Sequence, residues 1–264
     1  MSEAKKETMG RTLLVALLVC LVCSVFVAGA AVGLKPTQVV NRQLDKQRNI
    51  LVIAGLADAA TPAAEVQRLF KERIKARVVN LDTGRYDDTL DAGSFDPLKA
   101  AQNPALSKAL PAHEDVASIR RRENHTVVYQ VEDDAGRLQT LILPVRGYGL
   151  WSTLHGFMAL KPDLNTVAGF GFYQHAETPG LGGEVDNPRW KALWPGKQVF
   201  DAQGQLDITV IKGSVDRSSP RAVHQVDGLA GATLTSNGVN NLLKYWLGPQ
   251  GFGPYLAQLR AGGN

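Results

Sequence analysis

Residues 227–236 have the sequence Asp227-Gly228-Leu229-Ala230-Gly231-Ala232-Thr233-Leu234-Thr235-Ser236, in which small side chains let other groups approach the backbone closely. A helical pattern follows over residues 237–247, with apolar residues on one face, and Thr235 or Ser236 is expected to be its N-cap. The first N–H groups of a helix are unpaired, and the helix dipole is positive there. The sequence therefore predicts a phosphate site at this helix start, beside Thr233.

The amino-acid composition restricts the classes of protein to which the chain can belong. The chain has 264 residues, 44% of them hydrophobic, which is enough for a full core. Its net charge of +4 is mild, and the basic residues are scattered among acidic ones, so we do not expect nucleic-acid binding. The only cysteines, Cys20 and Cys23, lie in the first apolar stretch. The rest of the chain therefore cannot form a disulfide, a thiolate metal site or a cysteine-ligated iron–sulfur cluster.

An uncharged stretch over residues 12–34 follows a polar N-terminal tail of residues 1–11. About 23 apolar residues can cross a bilayer as a helix, so we predict a single-pass anchor followed by a soluble domain over residues 35–264. The alternative is a cleaved signal peptide, since Ala28-Gly29-Ala30 resembles a cleavage site, but the apolar stretch is longer than usual. Basic residues flank both sides of the stretch, so charge alone does not decide the orientation, and a periplasmic soluble domain is permitted.

The remaining pattern predicts an α+β fold. Helices are expected over residues 37–51 and after Thr61-Pro62, the latter with Thr61 as N-cap, and a loop with short helix over residues 81–113. A third, short helix is expected to be capped by Asn187. Strands are expected at residues 127–131, 138–145, 156–160, 167–173 and 206–211. This order favours an antiparallel sheet with helices packed on it.

Three further segments are rich in glycine and aromatic residues, at residues 146–153, 175–184 and 194–197. Glycine-rich loops beside a sheet suit a flat ring system, although each could also be an ordinary turn. No nucleophile elbow, nucleotide-binding loop or metal-ligand spacing is present in the sequence. His175 and Glu177 could form a metal pair, but we expect Glu177 to accept backbone N–H groups within its own turn.

The segment Asp227–Thr233 resembles the flavinylation motif of FMN-binding domains, an aspartate followed by Ser/Thr-Gly-Ala-Thr. In that family the last threonine is joined through its hydroxyl to the phosphate of FMN. The resemblance implies a covalent FMN on Thr233, with Asp227, Gly231, Ala232 and Thr235 around the phosphate. Ala230 stands where the family usually has serine or threonine.

The chain resembles a second, narrower family, the C subunits of bacterial sodium-translocating NADH:quinone reductases. The resemblance rests on this motif, the anchor, the Gly-Leu-Trp-Ser-Thr segment at 149–153 and the Glu-Thr-Pro-Gly-Leu-Gly segment at 177–182. The resemblance implies a flavin subunit of the inner membrane that works with the other subunits of that enzyme and is not active alone. It also implies a separate flavin transferase that attaches FMN and recognises Asp227. The residues expected to border the flavin ring are Trp151, Glu177, Thr178, Pro179, Gly180 and Leu181.

Three alternatives remain at this stage. The first is the flavin subunit of the related ferredoxin-linked electron-transport complex. The second is an anchored extracytoplasmic module that binds a ligand reversibly and has no redox role. The third is an assembly factor in which the Thr233 loop only begins a helix. Trp151 could equally be an ordinary core tryptophan.

Overall fold

The long first helix, α1 (Met9–Ile53), contains both predicted helical segments, 12–34 and 37–51, with Pro36 inside it. The computed structural model describes residues 8–262, so most of the predicted tail, residues 1–7, lies outside them. The chain divides into two units after Asp45. Within the described part, α1 is the one helix that is long and apolar enough to cross a membrane.

The second unit is built on a five-stranded antiparallel sheet in the order β1-β4-β5-β6-β7. The strands are β1 (Lys75–Asn80), β4 (His125–Glu132), β5 (Leu138–Tyr148), β6 (Thr153–Leu160) and β7 (Val167–Gln174). Four of them confirm predicted strands. The turn between β4 and β5 is closed by the Gly136 N–H, which donates to the Asp133 carbonyl at 2.9 Å, and Gly136 has φ +74°. The α+β prediction is confirmed.

Both faces of the sheet are buried, since neighbouring residues of one strand enter different hydrophobic clusters. Leu141 and Leu143 belong to the cluster that contains the tryptophans, whereas Ile142 between them belongs to the other. Gly169 of β7 lies against the backbone of Ile53, at the end of α1. Glycine at this position therefore allows the end of α1 to approach the strand closely.

The helices that cover the sheet are α2 (Ala63–Arg73), α3 (Pro97–Gln102), α4 (Pro188–Lys191), α5 (Thr233–Trp246) and α6 (Gly253–Arg260). Helix α5 packs on β5, where Leu242 contacts Gly147 closely enough that a Cβ on the glycine would lie 2.6 Å from the Leu242 Cβ. The predicted cap of α4 is confirmed, because the Asn187 side chain accepts from the Arg189 N–H at 2.9 Å. Residues 182–186 and 220–224 form short 3-10 helices.

Two local predictions are wrong. The N-cap of α2 is Pro62, and the Thr61 hydroxyl instead bonds the Asp58 side chain at 3.2 Å, because the preceding turn holds it there. The predicted strand 206–211 shrinks to β8 (Thr209–Val210), which pairs in parallel with β9 (Gln225–Val226) outside the main sheet.

Strand β8 is shorter than predicted because the N–H groups of Asp207 and Ile208 donate to the Val199 carbonyl, at 3.0 and 3.1 Å, and not to β9. The side chain of Asn240 covers the edge of β8 that does not pair with β9. Its Oδ1 accepts from the Val210 N–H at 2.7 Å, and its Nδ2 donates to the Val210 carbonyl at 2.8 Å. This amide satisfies both backbone groups that a further strand would have paired.

Strands in the first half of the domain were not predicted. They are β1 of the main sheet and a separate pair formed by β2 (Ser107–Ala109) and β3 (Arg121–Glu123). All three strands contain charged residues. The predicted short helix within residues 81–113 is present as α3.

Candidate functional site

Helix α5 begins at Thr233, four residues earlier than predicted. Its N-cap residue is Ala232, whose side chain has no atom that can accept a hydrogen bond. The first backbone bond runs from the Ser236 N–H to the Ala232 carbonyl at 3.0 Å. Within residues 8–262, the N–H groups of Thr233, Leu234 and Thr235 have no hydrogen-bond acceptor. Three donors therefore remain at the positive end of the helix.

The predicted caps, Thr235 and Ser236, are buried inside the first turn instead. The Thr235 hydroxyl donates to the Glu177 carboxylate at 2.8 Å, and the Ser236 hydroxyl accepts from the Leu229 N–H at 3.2 Å. The cap prediction is wrong because both side chains serve tertiary contacts. Thr235 is 0% exposed, so nothing from solvent can reach its hydroxyl.

Thr233 differs from Thr235 in every respect that matters for modification. Its side chain is exposed, and its hydroxyl has no hydrogen-bond partner in the described part of the chain. Gly231 just before it has φ +69°, a left-handed conformation that favours glycine. Ala230, the departure from the motif, is exposed, so the hydroxyl it lacks would face solvent.

Asp227 holds the loop that leads to this helix. Its carboxylate accepts from the Val215 N–H at 2.8 Å, and its carbonyl accepts from the Trp190 indole at 2.9 Å. The N–H of Gly228 donates to the Gly213 carbonyl at 2.8 Å. The first residue of the motif is therefore fixed on both its backbone and its side chain.

Glu177 is the central polar group of the site. Its carboxylate accepts from the N–H groups of Leu150, Trp151 and Ser152 at 3.2, 3.0 and 3.1 Å. It also accepts from the hydroxyls of Ser152 at 3.3 Å and Thr235 at 2.8 Å. The prediction that Glu177 bonds its own turn is wrong, because the donors belong to a loop 25 to 27 residues earlier and to α5.

Burial disfavours the charged form of Glu177, which is only 5% exposed. The hydrogen bonds from Thr235 and from the three backbone N–H groups outweigh this effect, so the pKa of Glu177 lies below its ordinary value. Glycine makes the close packing possible: a Cβ on Gly149 would lie 2.7 Å from one Glu177 oxygen, and a Cβ on Gly182 would lie 2.7 Å from the other. Glu177 is therefore an ionised, enclosed carboxylate.

The segment before Glu177 is tied to the short helix α4. His175 Nδ1 accepts from the Glu177 N–H at 3.2 Å, so its Nε2 carries the proton and donates to Asp186 at 2.7 Å. Lys191 contacts the same Asp186 carboxylate at 2.9 Å. Burial works against ionisation of Asp186, but hydrogen bonds from His175 and Lys191 lower its pKa. Sequence reasoning missed this triad because its members come from three different segments.

The predicted ring-bordering residues after Glu177 form an exposed turn. The Leu181 and Gly183 N–H groups both donate to the Thr178 carbonyl, at 3.1 and 2.9 Å, and Gly180 has φ +76°. Thr178, Pro179 and Gly180 are exposed. A Cβ on Gly231 would lie 3.0 Å from Leu181, so this turn lies beside the start of α5.

Large apolar side chains around the site face solvent. Trp151 is 66% exposed, so it is not a core tryptophan. Leu150, Leu181 and Leu234 are 37%, 45% and 58% exposed. Exposed apolar groups gathered in one place indicate a binding surface.

The glycine-rich segment at 194–197 does not join this site. Trp194 is buried in the core, and the Gly196 N–H donates to the Val167 carbonyl at 2.8 Å. Among described residues it makes no hydrogen bond to Thr233 or Glu177. This segment is an ordinary turn, whereas the segments at 146–153 and 175–184 meet at Glu177.

Comparisons with known proteins agree with this geometry. The FMN-binding domain family matches residues 149–248. The chain is 68% identical over 259 residues to the C subunit of the Na(+)-translocating NADH-quinone reductase of Pseudomonas aeruginosa, covering 98% of this chain and 99% of that protein. It is 49% identical over 257 residues to the equivalent protein of Pasteurella multocida, covering 97% of this chain and 96% of that protein.

Solved structures show the same similarity. The crystal structure of NqrC from Shewanella oneidensis matches with a TM-score of 0.76 and 36% identity, covering 84% of this chain and 99% of that one. The structure of the C subunit of the Na(+)-translocating NADH-quinone reductase from Parabacteroides distasonis matches with a TM-score of 0.64 and 28% identity, over 84% and 96% of the two chains.

Proposed function

Because the chain belongs to the NqrC family, the C subunits of Na(+)-translocating NADH-quinone reductases, and is therefore one subunit of a multi-subunit oxidoreductase, we propose that it carries its FMN covalently on Thr233. The bond is a phosphoester between the Thr233 hydroxyl and the FMN phosphate. The observation that carries this proposal is an exposed, unpartnered hydroxyl beside three unpaired N–H groups at the start of α5.

The helix start fits a phosphodiester for electrostatic reasons. The N–H groups of Thr233, Leu234 and Thr235 can donate to phosphate oxygens, and the first turn contains no acidic residue. The helix dipole favours one negative charge there by about 0.3–1 kcal/mol when exposed. Thr233 and Leu234, the first two residues of the helix, are exposed, so solvent reaches this helix start.

Thr233 is the best acceptor among the three hydroxyl residues of this turn. The hydroxyls of Thr235 and Ser236 are buried and hydrogen-bonded, so a transferring enzyme would have to open the fold to reach them. We propose that a separate, magnesium-dependent flavin transferase moves FMN from FAD to Thr233. The Thr233 oxygen bonds to the FMN phosphorus, the phosphoanhydride bond of FAD breaks, and AMP and the hydroxyl proton leave. Asp227, at the start of the motif, belongs to the sequence that this enzyme recognises.

The exposed apolar surface beside Thr233 suits the flavin ring. Trp151 and Leu181 offer apolar area from two segments, and Thr178, Pro179 and Gly180 form the exposed turn between Glu177 and Leu181. When bound, FMN supplies the electron-transfer chemistry, while the protein sets its position and surroundings. A covalent bond keeps this carrier from being lost.

We propose further that residues 12–34 anchor the protein once in the bacterial inner membrane and that the domain after residue 35 lies in the periplasm. The length and apolar character of α1 support the anchor. The partners are the other subunits of the reductase. Family membership favours this assignment over the ferredoxin-linked complex, over a reversible ligand-binding module and over an assembly factor.

The proposal is tested with the full-length chain coexpressed with a flavin transferase. The protein should keep its flavin fluorescence after denaturation, and its intact mass should exceed that of the polypeptide by FMN less one water. Thr233→Val should abolish both signals. Thr89→Val is the matched control, since Thr89 is an exposed threonine in a segment outside the site, and it should keep them. Covalent flavin in the Thr233→Val protein would refute the assignment.

A further inference from the structure

One carboxylate joins two parts of the site that are distant in sequence. Glu177 accepts from the backbone of Leu150, Trp151 and Ser152, and from the side chain of Thr235 in the first turn of α5. We propose that Glu177 is a positioning residue that fixes the loop bearing Trp151 against the first turn of the attachment helix. In this role, which rests on the proposed flavin at Thr233, it determines where the flavin ring lies without contacting the ring through its side chain.

The chemistry of the partners requires a carboxylate. All of the groups that reach Glu177 from Leu150, Trp151 and Ser152 are N–H or O–H donors, and Thr235 also donates. The Ser152 hydroxyl accepts from the Ala176 N–H at 2.8 Å, which leaves its own proton for Glu177. A carboxylate offers acceptors only, whereas a glutamine would direct an NH₂ group at some of these donors.

Packing keeps the Glu177 carboxylate away from solvent. Gly149 and Gly182 approach its two oxygens so closely that a Cβ on either glycine would overlap them. The side chain is 5% exposed, and both oxygens are already occupied by donors. The carboxylate therefore holds the protein together at this point and is not open to the cofactor.

The position of Trp151 depends on the hydrogen bond from its N–H to Glu177, because packing does not hold its side chain. It is 66% exposed, so core packing does not hold the indole. Its backbone is fixed by the N–H bond to Glu177 and by the Tyr148 hydroxyl, which donates to the Trp151 carbonyl at 3.3 Å. Removing the first of these bonds frees the loop while leaving the core sheet intact.

None of the charged or titratable groups described near Glu177 accepts hydrogen bonds from the loop of residues 150–152. His175 accepts from the Glu177 N–H through its unprotonated nitrogen, and Lys191 is paired with Asp186. On the side of α5, the partner is the neutral Thr235. The low pKa of Glu177 thus comes from its hydrogen bonds and agrees with a carboxylate that stays charged in its role.

Amide hydrogen exchange of the flavin-loaded, full-length protein tests the inference. Glu177→Gln should raise the exchange rate of the Leu150, Trp151 and Ser152 amides by about tenfold or more, since several charge-assisted bonds are lost. Exchange in the core strand β5 should stay unchanged. Glu184→Gln is the matched control, because Glu184 lies in the same segment and bonds only Asn187 among the described side chains. Unchanged exchange at residues 150–152 in Glu177→Gln would overturn the inference.

A spectroscopic readout separates positioning from mere stability. Glu177→Gln should still carry covalent FMN, but its flavin fluorescence should rise as in Trp151→Ala, because the indole no longer holds its place as a quencher. Adding Glu177→Gln to Trp151→Ala should have no further effect. A further rise in the double variant would contradict a role exerted through Trp151.

If Glu177→Gln does not fold, Thr235→Val provides the test, since it removes only the link to α5. It should raise the flavin fluorescence while exchange at residues 150–152 changes little, and unchanged fluorescence would overturn the inference. The proposed function fails separately, when the unsubstituted protein shows no covalent flavin mass or when that mass is attached to a residue other than Thr233. The two failures are therefore distinguishable.

Discussion

Replacing Gly238 by alanine should destabilise the domain, although alanine is the better helix former. Gly238 lies on the face of α5 that meets the end of β5, and a Cβ there would lie 2.5 Å from the Tyr148 carbonyl oxygen and 2.9 Å from the Gly149 Cα. Both atoms belong to the backbone, so they cannot rotate away as a side chain would. The helix and the loop before Trp151 would have to separate.

The magnitude follows from two opposing effects. Alanine in place of glycine stabilises a helix interior by about 1 kcal/mol. Overpacking costs about 1–3 kcal/mol, and the two backbone atoms at 2.5 and 2.9 Å place Gly238 at the upper end of this range, about 3 kcal/mol. The net loss for Gly238→Ala is therefore about 2 kcal/mol, which corresponds to a fall in Tm of about 4–8 °C for a domain of this size.

Thermal unfolding of the full-length protein in detergent measures the effect. The control is Asn241→Ala, which places the same residue on the exposed side of the same helix and should leave Tm unchanged or slightly raised. A Tm for Gly238→Ala equal to or above that of the unsubstituted protein would refute the packing argument.

Two other predictions concern buried charge. The buried guanidinium of Arg146 lies 2.7 Å from the Glu123 carboxylate. Glu123→Gln removes this counter-charge and should lower the free energy of unfolding, measured with denaturant, by about 3–5 kcal/mol. The same substitution at Glu72, in an exposed ion pair, should change stability by less than about 1 kcal/mol, and equal effects would contradict this prediction. Burial, aided by the charge of Arg146, lowers the pKa of His155 from 6.5 to about 4. Between these two pH values His155 binds a proton in the unfolded chain but not in the folded chain. The free energy of unfolding is therefore highest above pH 6.5 and decreases as the pH falls toward about 4. Tm measured from about pH 7.5 down to about pH 5 should fall more in the unsubstituted protein than in His155→Gln, and parallel curves would disprove the role of His155.

The sheet could be predicted where apolar residues and turn residues agree. Strands β4 and β5 are apolar segments separated by Asp133-Asp134-Ala135-Gly136, and this local signal was sufficient. Strand β1 was missed because Lys75 and Arg77 interrupt its apolar pattern. These cations find partners only in the folded chain: Lys75 pairs with Glu132 at 3.0 Å, and the Arg77 guanidinium lies over the Tyr86 ring.

At the site, the resemblance of the motif suggested candidate residues, but it did not predict how they are arranged. Thr235 and Ser236 have the composition of N-caps, yet tertiary partners draw both inward and the helix starts at Thr233. Glu177 was expected to bond its own turn, but its donors come from residues 150–152 and from α5. No local pattern encodes such a contact, because it depends on how the strands bring separate loops together.

Peptide mapping of the flavin-loaded protein tests the central claim most directly. Cleavage after Arg221 and Lys244 yields a peptide of residues 222–244 that contains Thr233, Thr235 and Ser236 together. Fragmentation should place the added mass of FMN less one water on Thr233. The same mass on Thr235 or Ser236, or its absence from this peptide, would contradict the assignment.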